Sequence, residues 1–339
     1  MLTALFLVGF GGYFSPYLRV GFLEADYSAS HGPARDKVDV SGLTEEEKKM
    51  GIKLTDDGTK YLVHPDKIVP GGPPKDGIPS IDEPRFVTVK EADQWIQDNE
   101  LVLALTYKGV KRVYPLQIMV WHEIVNDFLA GDPVLITYCP LCGSGIAYER
   151  LIKGEAVEFG TTGKLYNSNL VMYDRKTNTY WSQIDGLAIM GELTGEKLKP
   201  ISVDTVVWRE WKRMHPDSEI LSLDTGFIRP YGRDPYASYY EDSLILFQVE
   251  KRDDRIHPKT VVYGVEVAGA YKAYREQDLM ELGVIEDVVG GVGIRLERSD
   301  EGLVRVTNID TGGEIVKERV FWFAWYAFHP ETELYTKSG

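Results

Sequence analysis

Cys139 and Cys142 are the only cysteines in 339 residues, and they sit three positions apart in Thr137-Tyr138-Cys139-Pro140-Leu141-Cys142-Gly143. Two thiols so spaced can share a metal ion or close a small, easily reduced disulfide. A plainer reading is that both are buried as small hydrophobes. Cys-Pro-x-Cys-Gly has the form of a zinc knuckle, but a closed structural zinc site takes four ligands, usually from two knuckles. One knuckle is present, so a metal would need His or carboxylate to complete its shell. His122 is the best third ligand, because it precedes the strand that delivers the cysteines. Two thiolates and one imidazole suit Cu(I) or Zn(II), with Asn126 or Asp127 supporting them from behind. The rival chemistry is thiol–disulfide exchange, which needs a lowered thiol pKa. Such motifs usually open a helix whose N-terminal field favours the thiolate. Here Gly143-Ser144-Gly145-Ile146 reads as turn and strand, which tilts the sequence reading toward metal.

The elements that must position these groups follow from apolar pattern. Pro133 to Tyr138 is a short apolar run that predicts a buried strand, broken by Pro140 and Gly143, so both sulfurs hang from a tight turn. Pro115 suits the first turn of a helix running to about Phe128, with Ile118, Val120, Trp121, Ile124, Val125 and Phe128 on a wide buried face. His122 and Glu123 lie on that helix, and Asn126 follows His122 by one turn. Leu101 to Tyr107 and Val110 to Tyr114 predict a hairpin about Lys108-Gly109. Beyond the cysteines come short strands at 145–149, 156–160, 170–174 and 180–183, with Gly and Asn at the turns. The aromatics Tyr166, Tyr173, Tyr180 and Trp181 are candidates for a ligand groove. Val203 to Met214 predicts a helix with Trp208 and Trp211 as buried anchors, stopped by His215-Pro216.

Other chemistries find no support. Cys142 occupies the first Gly of a Gly-x-Ser-x-Gly elbow, and no Walker loop, His-Glu-x-x-His or dinucleotide fingerprint occurs. A formal charge of −14 argues against a nucleic-acid partner or an anionic membrane surface. An apolar fraction of 43% is ample for a packed core.

An internal repeat organises the chain. Gly143-Ser144-Gly145-Ile146 through Arg150 matches Gly291-Val292-Gly293-Ile294 through Arg298, and Trp208, Trp211 and His215-Pro216 match Trp322, Trp325 and His329-Pro330. Aligned this way, Cys139 and Cys142 fall opposite Asp287 and Gly290, and His122 near Leu282. Residues present in both copies are explained by packing; those found only in the first are the candidates for chemistry. The organisation expected is an N-terminal signal anchor or signal peptide over 1–23, where Leu2 to Leu18 is uncharged. An extended spacer over 24–75 follows, rich in charge, Gly and Pro. The first lobe spans 76–224, a linker 225–242, and a second, shortened lobe 243–339. The expected fold is α+β: two tandem related lobes of short, mainly antiparallel strands with packed helices.

Asp76-Gly77-Ile78-Pro79, Tyr114-Pro115-Leu116, Trp121-His122-Glu123-Ile124-Val125-Asn126-Asp127, Thr137 to Gly143, Leu165-Tyr166-Asn167-Ser168-Asn169-Leu170 and Trp181-Ser182-Gln183 appear in this order. With these motifs the chain resembles domain of unknown function three-one-seven-nine, a family of exported or membrane-tethered prokaryotic proteins. The resemblance covers Asp76 to the C-terminus and implies no activity. It does imply that His122, both cysteines and the segment Leu165 to Gln183 act as one unit, bringing in Glu123, Asn126, Asp127, Tyr166, Asn167, Asn169, Trp181 and Gln183. The expectation drawn is an extracytoplasmic metal-binding protein, membrane-anchored or secreted. It would hold copper or zinc on Cys139, Cys142 and His122. A thiol–disulfide oxidoreductase and a non-catalytic envelope scaffold with a structural disulfide are the alternatives.

Overall fold

In the computed structural model, residues 41–300 and 302–337 are described. These residues form 25 strands and six α-helices, none of the helices longer than seven residues. The α+β expectation with packed helices is therefore corrected: the chain is mostly β, its small sheets set like the blades of a four-bladed propeller. The reason lies in the local backbone. The helix Leu116–His122 stops where Glu123 turns left-handed (φ 59°), and β-branched Ile124 and Val125 continue as the strand Ile124–Leu129. Asn126 thus does not share a helix face with His122. Asp204–Val207 is likewise a strand, and only Trp208–Met214 is helical. An apolar run buried on every side cannot be told from a wide-faced helix by period alone.

Each half of the chain builds two of the small sheets. In the first half, Asp204–Val207, Leu101–Tyr107, Val110–Pro115, Glu219–Leu221 and Phe86–Thr88 lie side by side. The other sheet runs Lys199–Ile201, Ser144–Glu149, Asp132–Cys139, Ile124–Leu129. The second half repeats this with Lys317–Phe321, Val261–Val267, Ala270–Arg275 and Glu333–Leu334, and with Val284–Val289, Val292–Arg298 and Val304–Asn308.

From the first hairpin to the strand after the cysteines, the two halves match without gap, so Tyr114 meets Tyr274, His122 meets Leu282 and Asp127 meets Asp287. This register sets Cys139 and Cys142 opposite Ser299 and Gly302, and corrects the pairing with Asp287 and Gly290. The two Gly-Ile blocks that look alike in sequence sit on non-equivalent strands, Ser144–Glu149 and Val292–Arg298. Strands of alternating apolar residues resemble one another at several registers, which is how the sequence misleads.

The first half also carries an insertion. Its strands Phe159–Tyr166, Asn169–Asp174, Tyr180–Ser182 and Ala188–Met190 join Lys53–Leu54, Lys60–Tyr61 and Val69–Pro70 in a seven-stranded sheet. The described part of the presumed spacer is bound into that sheet, with Tyr61 paired to Met190 and Val69 to Leu165. The stretch read as a signal or anchor lies outside the described residues, among which no helix is long and apolar enough to cross a membrane. Both cysteines belong to the core that joins the halves, with Phe159 and Trp181 on one side and Trp322 and Trp325 on the other.

Candidate thiol site

Cys139 closes the strand Asp132–Cys139 opposite Ser144. Two overlapping turns then follow: Cys142 N–H donates to Cys139 O (3.2 Å) and Gly143 N–H to Pro140 O (3.2 Å). Gly143 has φ 60°, and a Cβ there would stand 2.9 Å from the Phe321 ring. Glycine lets the second half come this close: Phe321 N–H donates to Cys142 O at 2.8 Å. Both thiols are free, and both are buried.

The tip of the inserted hairpin covers the sulfurs. Asn167 and Ser168 turn it with φ 51° and 62°, the left-handed pair of a tight hairpin. The Cys142 thiol donates to Ser168 O (3.4 Å), and Asn169 Nδ2 reaches Cys142 Sγ (3.5 Å). Gln183 fixes Asn169, taking its Nδ2 at 2.7 Å while also accepting from Ser144 Oγ (3.0 Å) and donating to Thr137 Oγ1 (3.0 Å). Ile184 N–H holds the other end of the Asn169 amide (3.2 Å). Ser168 Oγ, fully buried beside this network, has no hydrogen-bond partner.

The two thiols are driven apart in acidity. Burial opposes a Cys139 thiolate, but donors outweigh it: the Cys142 thiol, the N–H groups of Leu170 and Cys142, and the Asn169 amide hold its pKa below the ordinary thiol value. Burial, reinforced by the neighbouring Cys139, pushes the Cys142 thiol well above that value. Glu123 is buried too, and burial, with the Cys139 charge acting in the same sense, raises its carboxyl well above the carboxylate range. A hydrogen bond with Tyr236 opposes that rise. Glu123, Leu141, Leu170 and Tyr236 line a cavity of about 100 Å³. The arrangement is two buried thiols of opposed acidity and one buried carboxyl beside a small cavity.

The segment 225–242, expected as a linker, closes over this site. Tyr231 Oη meets His122 Nε2 (2.6 Å), Tyr236 bonds Glu123, and Tyr239 Oη donates to Leu141 O (2.9 Å). The sequence reading missed these residues. The available signal was four tyrosines between 231 and 240, amphipathic rings that a solvated spacer has no use for.

His122 is completely buried, with Nδ1 donating to Pro79 O (2.7 Å) and Nε2 held by Tyr231. Burial depresses its pKa to about 4, which keeps the ring neutral. With both nitrogens engaged, it is not presented to the cysteines. Among the described residues no three His, Cys, Asp or Glu side chains converge as a metal site, so a copper or zinc shell of Cys139, Cys142 and His122 is not the arrangement found.

Asn126 bonds Asp82 and both backbone groups of Phe159, and Asp127 takes Arg112 and Tyr114. Tyr166 meets Glu250, Asn167 bonds Ala327 O and Glu250 N–H, and Trp181 donates to Asp174. These five hold strands and halves together. Glu123, Asn169 and Gln183 are the ones gathered at the thiols.

The model of one protein family, described as protein of unknown function (DUF3179), matches residues 75–315. Neither a curated protein nor a solved structure matches the chain.

Proposed function

The chain belongs to the family of unknown function DUF3179, a membership that carries no activity with it, and we propose that Cys139 and Cys142 act as a thiol–disulfide couple. The observation that supports this is the split in acidity, with Cys139 held as the nucleophile while Cys142 keeps its proton. In the reductive direction the Cys139 thiolate attacks a substrate disulfide, forming a mixed disulfide and expelling one thiolate, which takes the Glu123 proton. The Glu123 carboxylate then accepts the Cys142 proton. The Cys142 thiolate attacks Cys139 Sγ, releasing the second substrate thiol as the protein disulfide closes. Two electrons pass from the protein to the substrate, and Glu123 ends ionised, to be reset when the couple is recharged.

Burial of both sulfurs confines direct exchange to a small disulfide or thiol entering beside Glu123. An oxidising space outside the cytoplasm, where the apolar N-terminal stretch would send the chain, suits such a couple. A second reading, Cu(I) on the two sulfurs alone, rests on their being adjacent soft donors screened from water.

The test treats Cys142→Ser protein with a small disulfide, cystamine. The proposal expects a mixed disulfide trapped on Cys139, and in the wild type an internal disulfide that dithiothreitol reverses. Inert thiols in the folded wild type, together with one copper per chain on elemental analysis, would replace the couple with the metal reading.

A further inference from the structure

A second cavity, of about 200 Å³, lies where the two halves meet, away from the thiols. Its walls carry Asp185, Lys197, Glu266, Tyr271, Glu318 and His329. One of these groups, Glu318, has a buried oxygen, Oε2, with no contact with solvent and no hydrogen-bond partner. His329 is 8% exposed, stacks on Tyr271 (4.2 Å, 13°) and meets Trp325 at a tilt (4.2 Å, 54°), and neither ring nitrogen bonds any described residue. Buried polar groups without partners are uncommon and ask for an occupant.

The equivalent place in the first half shows what a closed version looks like. There Asp204 stands for Glu318 and is paired with Lys317 at 2.9 Å. Lys111 stands for Tyr271 and is paired with Asp217 at 2.7 Å. His215 stacks on Trp211 at the same 4.2 Å. The frame is shared, yet in the second half a tyrosine replaces the lysine and the carboxyl is left unpaired. Lys197 is the only cation on the cavity wall, and it makes no ion pair within 4 Å among the described residues.

We propose that this cavity binds a small organic cation, a primary ammonium or guanidinium, through Glu318 and Asp185 with its apolar part against Tyr271. Three carboxyl groups against one lysine select positive charge, and the Tyr271 face supplies a cation–π contact. A metal ion is the poorer occupant, since no three ligating groups converge among the described residues. Burial, the mutual repulsion of Glu318 and Asp185 and the presence of Glu266 raise the Glu318 carboxyl to about 8. Burial raises Asp185 to about 6, Lys197 opposing both rises. Burial depresses His329 to about 4, Lys197 acting in the same sense, so its ring adds no charge at neutral pH. A bound cation takes the place of the Glu318 proton, so affinity rises as pH climbs from 6 to 8.

The test titrates the full chain with 1,5-diaminopentane and with methylguanidinium, following amide resonances by NMR. The proposal expects saturable shifts centred on Tyr271 and His329, and binding weakened at least about tenfold in Glu318→Gln. Met280→Ala, an exposed residue that does not line this cavity, should bind as the wild type does. No saturable shift with either probe, or shifts confined to the outer surface, would overturn it. So would equal affinity in Glu318→Gln. Should that variant misfold, Tyr271→Lys, which recreates the closed arrangement of the first half, is the substitute and should abolish binding.

Discussion

The two halves carry the same frame to different ends. The buried tyrosine–aspartate pair is kept in both, Tyr114 Oη on Asp127 at 2.6 Å and Tyr274 Oη on Asp287 at 2.9 Å. The helix end with its tryptophan and histidine is kept as well. Where the halves differ, the first carries the cysteines and the groups around them and the second has what the backbone prefers. The clearest case is the residue that ends the helix before the second sheet. In the second half it is Gly283 (φ 71°), the residue a left-handed cap favours; in the first it is Glu123 (φ 59°). A left-handed glutamate costs on the order of 1 kcal/mol over glycine. That cost is tolerated where the buried carboxyl lies within electrostatic range of Cys139. Ser299 and Gly302 stand where the first half has its thiols.

Ways to break the shared frame should have the largest effects. Asp127→Ala leaves Arg112, whose side chain is only 11% exposed, with Glu219 and Phe128 O alone and the buried Tyr114 hydroxyl without its acceptor, and should cost about 3 kcal/mol in urea unfolding. Asp287→Ala removes a more exposed ion pair with Lys272 (13% and 19%) and should cost nearer 1 kcal/mol. Equal costs would mean that the difference in burial between the two pairs does not set their energies.

The histidines predict a pH dependence. His122 and His329 both have folded pKa values depressed to about 4 by burial, so the unfolded chain binds more protons between pH 6.5 and 4. Their stability contribution is fully present above pH 6.5 and is lost as pH falls toward 4, by up to about 3 kcal/mol for each fully buried ring. Denaturant midpoints measured across that window should fall, and His122→Leu, the residue of the second half, should flatten the slope.

Gly143→Ala forces a side chain against Phe321 at a left-handed position and should cost about 2 kcal/mol. The substitution should also expose Cys142 to alkylation by loosening the seam between halves. The smallest stability effect belongs to Glu123→Gly, which copies the second half: stability within about 1 kcal/mol of the wild type, with thiol exchange slowed at least about tenfold. A variant that unfolds would show Glu123 to be a packing residue.

The strand ending at Cys139, the turn that follows it and the helix stops at His215-Pro216 and His329-Pro330 are written in Pro, Gly and apolar runs, and could be read directly. The helix Glu45–Lys49, inside the stretch expected as a spacer, has its capping box in Thr44 and Glu47. The boundary at Glu123 was not legible, because a left-handed glutamate breaks the propensity that would have flagged it. Nor was the register of the repeat, since two strands of similar composition competed for one alignment. At the site, Glu123, Asn169 and Gln183 were within reach of the motifs, whereas Tyr236 comes from a segment more than ninety residues beyond Cys142. His122 looked like a ligand because residue type and spacing say nothing of whether its nitrogens are already bonded.

The most direct measurement is the rate of Cys139 alkylation in the reduced, folded chain as a function of pH, with iodoacetamide as the reagent and mass mapping to assign the site. A midpoint below that of a free thiol, about 8.5, with Cys142 unmodified and the midpoint moved up in Asn169→Ala, is the result predicted. A Cys139 that reacts only above that value, or only once the protein unfolds, would contradict the account.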